Sequence, residues 1–297
     1  MLYNKKDTTT AQEQADAMLE SMKLAVYRGQ AGYYELKNIP GTNGVKTTLS
    51  EGVEGTYDFC PWKEGINLKG KKYTFSVISS YGTHTMTVYI QNNDVAEKNG
   101  QNLLEAIKQI PYPVRKNIKT MTVYNDDENT LNCGENDLWI RMNWVETPNG
   151  IAQFLAHEFG HSMDFSYTVN SSGSWDKARE ADILNVSDYG TTNGYEDFAE
   201  FSQLYFQMYG NYNGMYAIRQ LYPNRYRLYV ETLQKADYED IYEEILYLPE
   251  RKSLGSLERS AEVKASYCSE WEKKTAVNDG ETGSASLGSD CSHWGTW

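Results

Sequence analysis

Apolar and polar positions alternate with two different periods along this chain, and the shorter period comes first. "HTMTVYIQ" (84–91) alternates residue by residue, as a half-buried strand does, and "IKTMTVYND" (118–126) reads as a second strand. "DLWIRMNW" (137–144) reads as a third. It sets Leu138, Ile140, Met142 and Trp144 on one face and Trp139, Arg141 and Asn143 on the other. Between the first two strands, Leu103, Leu104, Ile107 and Ile110 fall at helical spacing within 94–110, stopped by Pro111. An amphipathic helix is also expected over 8–29, where Ala15, Met18, Leu19, Met22 and Leu24 lie on or near one face. Residues 31–72 are rich in Gly and aromatics without helical period and predict hairpins and loops.

Beyond the third strand the helical period takes over. Thr147 is suited to cap a helix and Pro148 to its first position, so a helix is expected from Pro148 to Phe165. "SWDKAREADILN" predicts a shorter helix, "GYEDFAEFSQLYFQMYG" a strong one between Gly194 and Gly210, and 215–248 two more. From Arg251 the chain turns polar and loses all period, which predicts a flexible tail. Strands followed by helices predict an α+β fold. The expected division is an N-terminal helix and hairpin region at 1–80, a main domain at 81–250, and the tail at 251–297.

Composition narrows the function classes. Hydrophobic residues make up 40% of the 297 positions, and no apolar run reaches the length of a membrane span. A net charge of −13 argues against a nucleic-acid partner, which would need clustered Lys and Arg. The amino terminus, "MLYNKKDTTT", lacks the apolar core of a signal peptide. That fits an intracellular protein or one whose signal has been removed. Cysteines at 60, 133, 268 and 291 contain no C-x-x-C, which disfavours a structural zinc site. Cys268 and Cys291 either pair in an oxidising compartment or remain thiols.

The chemistry concentrates in "LAHEFGHSMDF" (155–165). His157 and His161 stand one helical turn apart, so two imidazoles can meet one metal ion, and Glu158 lies beside the first to move protons. The alternative is a helix whose histidines merely point into a core or solvent. A catalytic zinc needs a third protein ligand. Asp164 and Tyr167 stand where the extended H-E-x-x-H-x-x-G-x-x-H motif requires Gly and His, and His84 and His293 lie on a strand and in the tail. A carboxylate on a later helix is therefore expected. Glu196 and Glu200, at i and i+4, can divide the work: one binds metal while the other hydrogen-bonds a ligand histidine.

"HEFGH" (157–161) together with "YGTTNGYEDFAEFSQLY" (189–205) resembles the catalytic domain of anthrax lethal factor and the related small secreted Pro-Pro endopeptidases of clostridia. The resemblance runs roughly from Asp94 to Leu248. It implies a zincin-like fold of the gluzincin type, in which a small mixed sheet packs on the active-site helix and a mainly helical half follows. It implies one zinc ion per chain held by His157, His161 and Glu196, with Glu200 as the second acid and Tyr189 as the phenol that meets the oxyanion. In zincins a strand edge above the metal helix binds the substrate as an added strand. Trp139 and Trp144 on the third strand are accordingly candidates for substrate contact, against a reading as ordinary core residues. The expected activity is hydrolysis of peptide bonds in a protein or peptide substrate, in a secreted or extracellular setting. The competing expectation is a binding or adhesion module that keeps the fold without turnover. The presence of Glu158 alongside all three ligands favours the enzyme.

Overall fold

The computed structural model describes Leu36, Ile39 and residues 41–60, 66–127, 130–182, 185–187, 189–209, 218–219 and 221–238. The helix expected over 8–29, the tail, and the Cys268 and Cys291 pair lie outside the described residues.

Among the described residues, seven strands form one mixed sheet: β1 (Lys46–Leu49), β2 (Val53–Asp58), β3 (Asn67–Ser79), β4 (Gly82–Gln91), β5 (Thr120–Tyr124), β6 (Thr130–Cys133) and β7 (Asp137–Arg141). Their order is β1-β3-β4-β5-β7-β6, with β2 also pairing with β3. The glycine- and aromatic-rich stretch thus supplies strands to the same sheet as the later ones. The expected boundary at 80 falls at the turn of the β3–β4 hairpin, which is paired from Gly70↔Gln91 to Ser79↔Gly82. β4, β5 and β7 run parallel, and β6 returns antiparallel along the outside of β7.

Parallel neighbours need a crossover, and α1 (Asp94–Ala106) provides it between β4 and β5, followed by the short α2 (Tyr112–Arg115). Asn93 caps α1 by accepting from the Val95 and Ala96 amides, and Asp94 and Glu97 complement the helix dipole in its first turn. Ala96, Asn99, Gly100, Leu103 and Ala106 make the buried stripe. In-register rows Val88–Met121–Leu138 and Ile90–Val123–Ile140 form the sheet's inner face. Ile90 lies directly against Gly100 of α1. The other face carries a second, smaller core of Phe59, Cys60 and Tyr124, against which Tyr57, Tyr89 and Trp139 pack.

Every described regular element after β7 is helical: α3 (Pro148–Tyr167), α4 (Ser174–Asp182), α5 (Gly194–Met208) and α6 (Pro223–Lys235), with a 3-10 turn at Tyr189–Thr191. The fold class is α+β. None of the described helices is long and apolar enough to cross a membrane.

Two expectations about the third strand change. β7 stops at Arg141 and lies inside the sheet, between β5 and β6. Among the described strands the edge on this side is β6, whose four residues, Thr-Leu-Asn-Cys, are too few to show a period. Trp139 therefore alternates away from α1 onto the second core. Trp144 lies past the end of β7 and is 41% exposed, its indole N–H donating to Glu146 Oε2 at 3.2 Å.

Candidate metal centre

Helix α3 is held at both ends. The Thr147 hydroxyl accepts from the Gly150 amide at 3.1 Å, and Pro148 occupies the first helical position. The helix ends at Thr168, whose left-handed backbone (φ 55°) caps it. Helix α1 fixes the approach from β7. Asn99 bonds the Trp144 carbonyl and the Glu146 amide at 2.9 and 2.8 Å, and Asn102 bonds the Glu146 carbonyl at 2.7 Å. The Ser162 hydroxyl donates to the Glu135 carbonyl at 2.6 Å and ties α3 to the turn between β6 and β7.

The close crossing of α3 and α5 assembles the centre. A Cβ on Gly160 would lie 2.9 Å from both Ala199 Cα and Ser202 Cβ, so the two backbones meet where α3 has no side chain. The Ser202 hydroxyl crosses to the Ala156 carbonyl at 2.8 Å, and the Tyr229 hydroxyl of α6 lies 2.8 Å from Ser202 Oγ. A helix-interior glycine costs about 1 kcal/mol relative to alanine, so Gly160 in "HEFGH" was a readable sign of close packing.

Across this crossing Glu196 Oε2 lies 3.4 Å from His157 Nε2 and 3.3 Å from His161 Nε2. Two ligands about 2.0–2.1 Å from a tetrahedral ion are separated by about 3.3 Å, so both spacings fit a shared metal. Glu196 Oε2 is buried and makes no hydrogen bond. The three residues form a group able to hold a metal ion, with their ligand atoms all within 4.8 Å of one another. Glu200 lies behind: its Oε1 is 2.8 Å from His157 Nδ1, the nitrogen turned away from the shared point. Asn193 caps α5 by accepting from the Glu196 amide at 3.0 Å, which places Glu196 in the first turn, where the helix dipole favours a carboxylate.

The electrostatics suit a cation. Burial opposes charge on His157, but the close carboxylates of Glu196 and Glu200 and the charge of Glu158 outweigh it and push its pKa up to about 10. Burial also works against charge on Glu196, yet the two histidines close to its inner oxygen hold its carboxyl well below the usual range. Glu158 shifts the other way. Burial raises its pKa, with the Glu196 and Glu200 charges adding to the rise and the histidines opposing it. A carboxyl shifted in this direction holds a proton more readily than a free one, as a group that takes up and returns a proton must.

Tyr189 is brought to the centre and Tyr195 is turned along its flank. The Tyr189 ring lies 6.0 Å from that of His157. Burial, followed by the charges of Glu196 and Glu158, pushes its phenol up to about 12, so it remains a neutral donor. Tyr195 instead packs on Phe165 at 5.8 Å, extending a row that starts at His161. Sequence reasoning did not anticipate Cys133, on edge strand β6, whose thiol is pushed up by burial and by the charge of Glu158. It also missed the buried Asp197, which accepts from Trp175 Nε1 at 2.9 Å and from Arg225 Nη1 at 2.8 and 3.0 Å.

Comparison of the chain with models of protein families, with curated proteins and with solved structures returned no match.

Proposed function

We propose that this protein is a zinc-dependent endopeptidase with a zincin-like catalytic domain. The observation that carries the reading is the convergence of His157 Nε2, His161 Nε2 and Glu196 Oε2 at tetrahedral-ligand spacing beside a buried Glu158 whose pKa is raised. Two imidazoles and one carboxylate suit zinc, and three protein ligands leave a position open for chemistry. A zinc ion held there supplies a Lewis acid that lowers the pKa of bound water and polarises a carbonyl.

The chain's own groups supply the rest. Glu158 takes a proton from the attacking water and delivers it to the leaving amine. Tyr189 donates its phenolic hydrogen to the oxygen that gains negative charge as the carbonyl is attacked. Glu200 accepts from His157 Nδ1–H, which fixes the tautomer and presents the Nε2 lone pair. The outer edge of β6, which pairs with no further described strand, is the place for an extended peptide, and it takes over the substrate role first expected of 137–144.

Elemental analysis combined with a peptide-library digest tests this reading. The wild type should hold one zinc per chain and cleave peptides within the library. Glu158→Gln should retain the metal and lose nearly all turnover, on the order of 10³-fold or more. Wild-type turnover in Glu158→Gln would remove Glu158 from its role. A wild type that binds zinc but cleaves nothing would favour the binding-module alternative.

A further inference from the structure

We propose that Arg179 of α4 is a positioning residue for Tyr189, acting through a buried clasp centred on Asp197; the claim rests on the catalytic role given to Tyr189 above.

The turn that carries Tyr189 has little regular structure to hold it. Its Tyr189–Thr191 helix is a single 3-10 turn, closed by the Thr192 amide to the Tyr189 carbonyl at 3.0 Å. Outside groups do the holding. The Gly190 amide donates to Ser187 Oγ at 2.9 Å, and the Gly190 carbonyl accepts from Arg179 Nη2 at 3.3 Å. The same guanidinium sets its Nε 3.6 Å from Asp197 Oδ2 and its Nη1 3.1 Å from Asp176 Oδ1. Arg179 thus joins the tyrosine turn to the residue that follows the metal ligand Glu196.

Asp197 is a firm anchor for this bridge. It is 1% exposed and receives the Trp175 indole N–H from α4 and the Arg225 guanidinium from α6. Arg225 is itself fixed by Asp182, 3.2 Å from its Nε. Gly190 lies on this anchor: a Cβ there would stand 3.3 Å from both Asp197 Cα and Oδ1. A side chain at 190 would press on Asp197 and make it yield by a few tenths of an ångström, and Arg179 is the side chain that closes over the turn. A planar fork suits the task, because it reaches a carbonyl and a carboxylate at once with fixed geometry. Losing it frees the turn to shift, and a displacement of an ångström at an oxyanion donor costs rate more than substrate binding.

The test uses the full zinc-loaded chain with Arg179→Met and Arg179→Lys, each alone and combined with Tyr189→Phe. Arg179→Met should lower kcat about tenfold, with KM within about twofold and zinc content unchanged. Arg179→Lys should recover part of the loss, since an ammonium can reach the carbonyl or the carboxylate but lacks the fork. In the Tyr189→Phe background the Arg179→Met loss should shrink to less than about twofold, because both changes remove the same interaction. Hydrogen exchange in peptides spanning Tyr189–Asn193 should speed up in Arg179→Met while exchange in α3 stays as in the wild type. Equal kcat losses in both backgrounds, or unchanged exchange in the turn, would overturn the proposal. A wild type without peptidase activity would sink the enzyme reading instead, and the exchange measurement would still decide whether Arg179 holds the turn. Should Arg179→Met fail to fold, Arg179→Lys carries the same kinetic and exchange comparisons.

Discussion

Glu196 and Asp197 are consecutive acids in the first turn of one helix, and the molecule treats them in opposite ways. Asp197 is surrounded by donors: two nitrogens of Arg225 and Trp175 bond it, and Arg179 stands nearby. Glu196 faces two imidazole nitrogens at ion-pair rather than hydrogen-bond geometry, and its inner oxygen is left without a hydrogen bond. Buried polar groups are nearly always satisfied, so an exception asks for an explanation, and here two imidazole nitrogens converging on the same oxygen offer one. Breaking a buried pair costs several kcal/mol because a charge is stranded. One acid therefore belongs to the architecture, while its neighbour stays open in a group able to hold a metal ion.

The contrast breaks if exchanging the acids for their amides has the same consequence at both positions. Glu196→Gln should weaken metal binding by more than about 100-fold, since it removes a charged ligand and not merely a supporting contact. Asp197→Asn should retain the metal far better while destabilising the fold by about 3 kcal/mol, because Arg225 loses its counter-charge. Metal titration and chemical unfolding in chelator measure the two effects, and parallel losses in both assays would erase the distinction.

Gly160→Ala probes the crossing on which the contrast depends. An added methyl must push Ala199 and Ser202 away. The expected cost is about 1–3 kcal/mol for overpacking, with weaker metal binding because Glu196 rides on the displaced helix. Unchanged metal affinity together with unchanged stability would show that the helices have room to spare.

Two buried histidines sharpen the same lesson at smaller scale. His157 faces carboxylates and is pushed up to about 10, against the pull of burial. Among the described residues, no carboxylate contributes to the shift of His84. Burial lowers its pKa to about 4, with the Arg115 charge adding to the fall and the 2.6 Å contact to the Ile118 carbonyl opposing it. Because the folded pKa of His84 lies below its unfolded value near 6.5, unfolding takes up a proton between these pH values. Its contribution is complete above about pH 6.5 and is lost as the pH falls toward 4. His157 in the metal-free protein has the opposite sign, with stability present below about pH 6.5 and lost as the pH rises through about 10. His84→Gln should flatten the acid limb of unfolding free energy against pH by up to about 2–3 kcal/mol. An acid limb as steep as that of the wild type would assign the dependence to other groups.

Much of this could be read from local spacing. The Thr147–Pro148 start of α3, the strand periods at 84–91 and 118–126, and the one-turn separation of His157 from His161 all follow from neighbours in sequence. So does the pairing of Glu196 with Glu200 on one side of α5. Periodicity places side chains on a face, and these positions needed nothing more.

Tertiary structure decided what such spacing leaves equal. Glu196 and Glu200 are interchangeable as an i, i+4 pair, and only the crossing at Gly160 sets one at the shared point and the other behind His157. Trp139 could face either way on an isolated strand, and the pairing of β7 between β5 and β6 turned it onto the second core. Arg179 and Asp197 carry the same charges as any solvated helix surface, and they acquire a role only when α4, α5 and α6 enclose them. Local sequence governs periodicity and capping, because these are interactions over one or two turns. Which buried acid is neutralised and which remains open depends on contacts between segments distant along the chain, and only the packed fold specifies those.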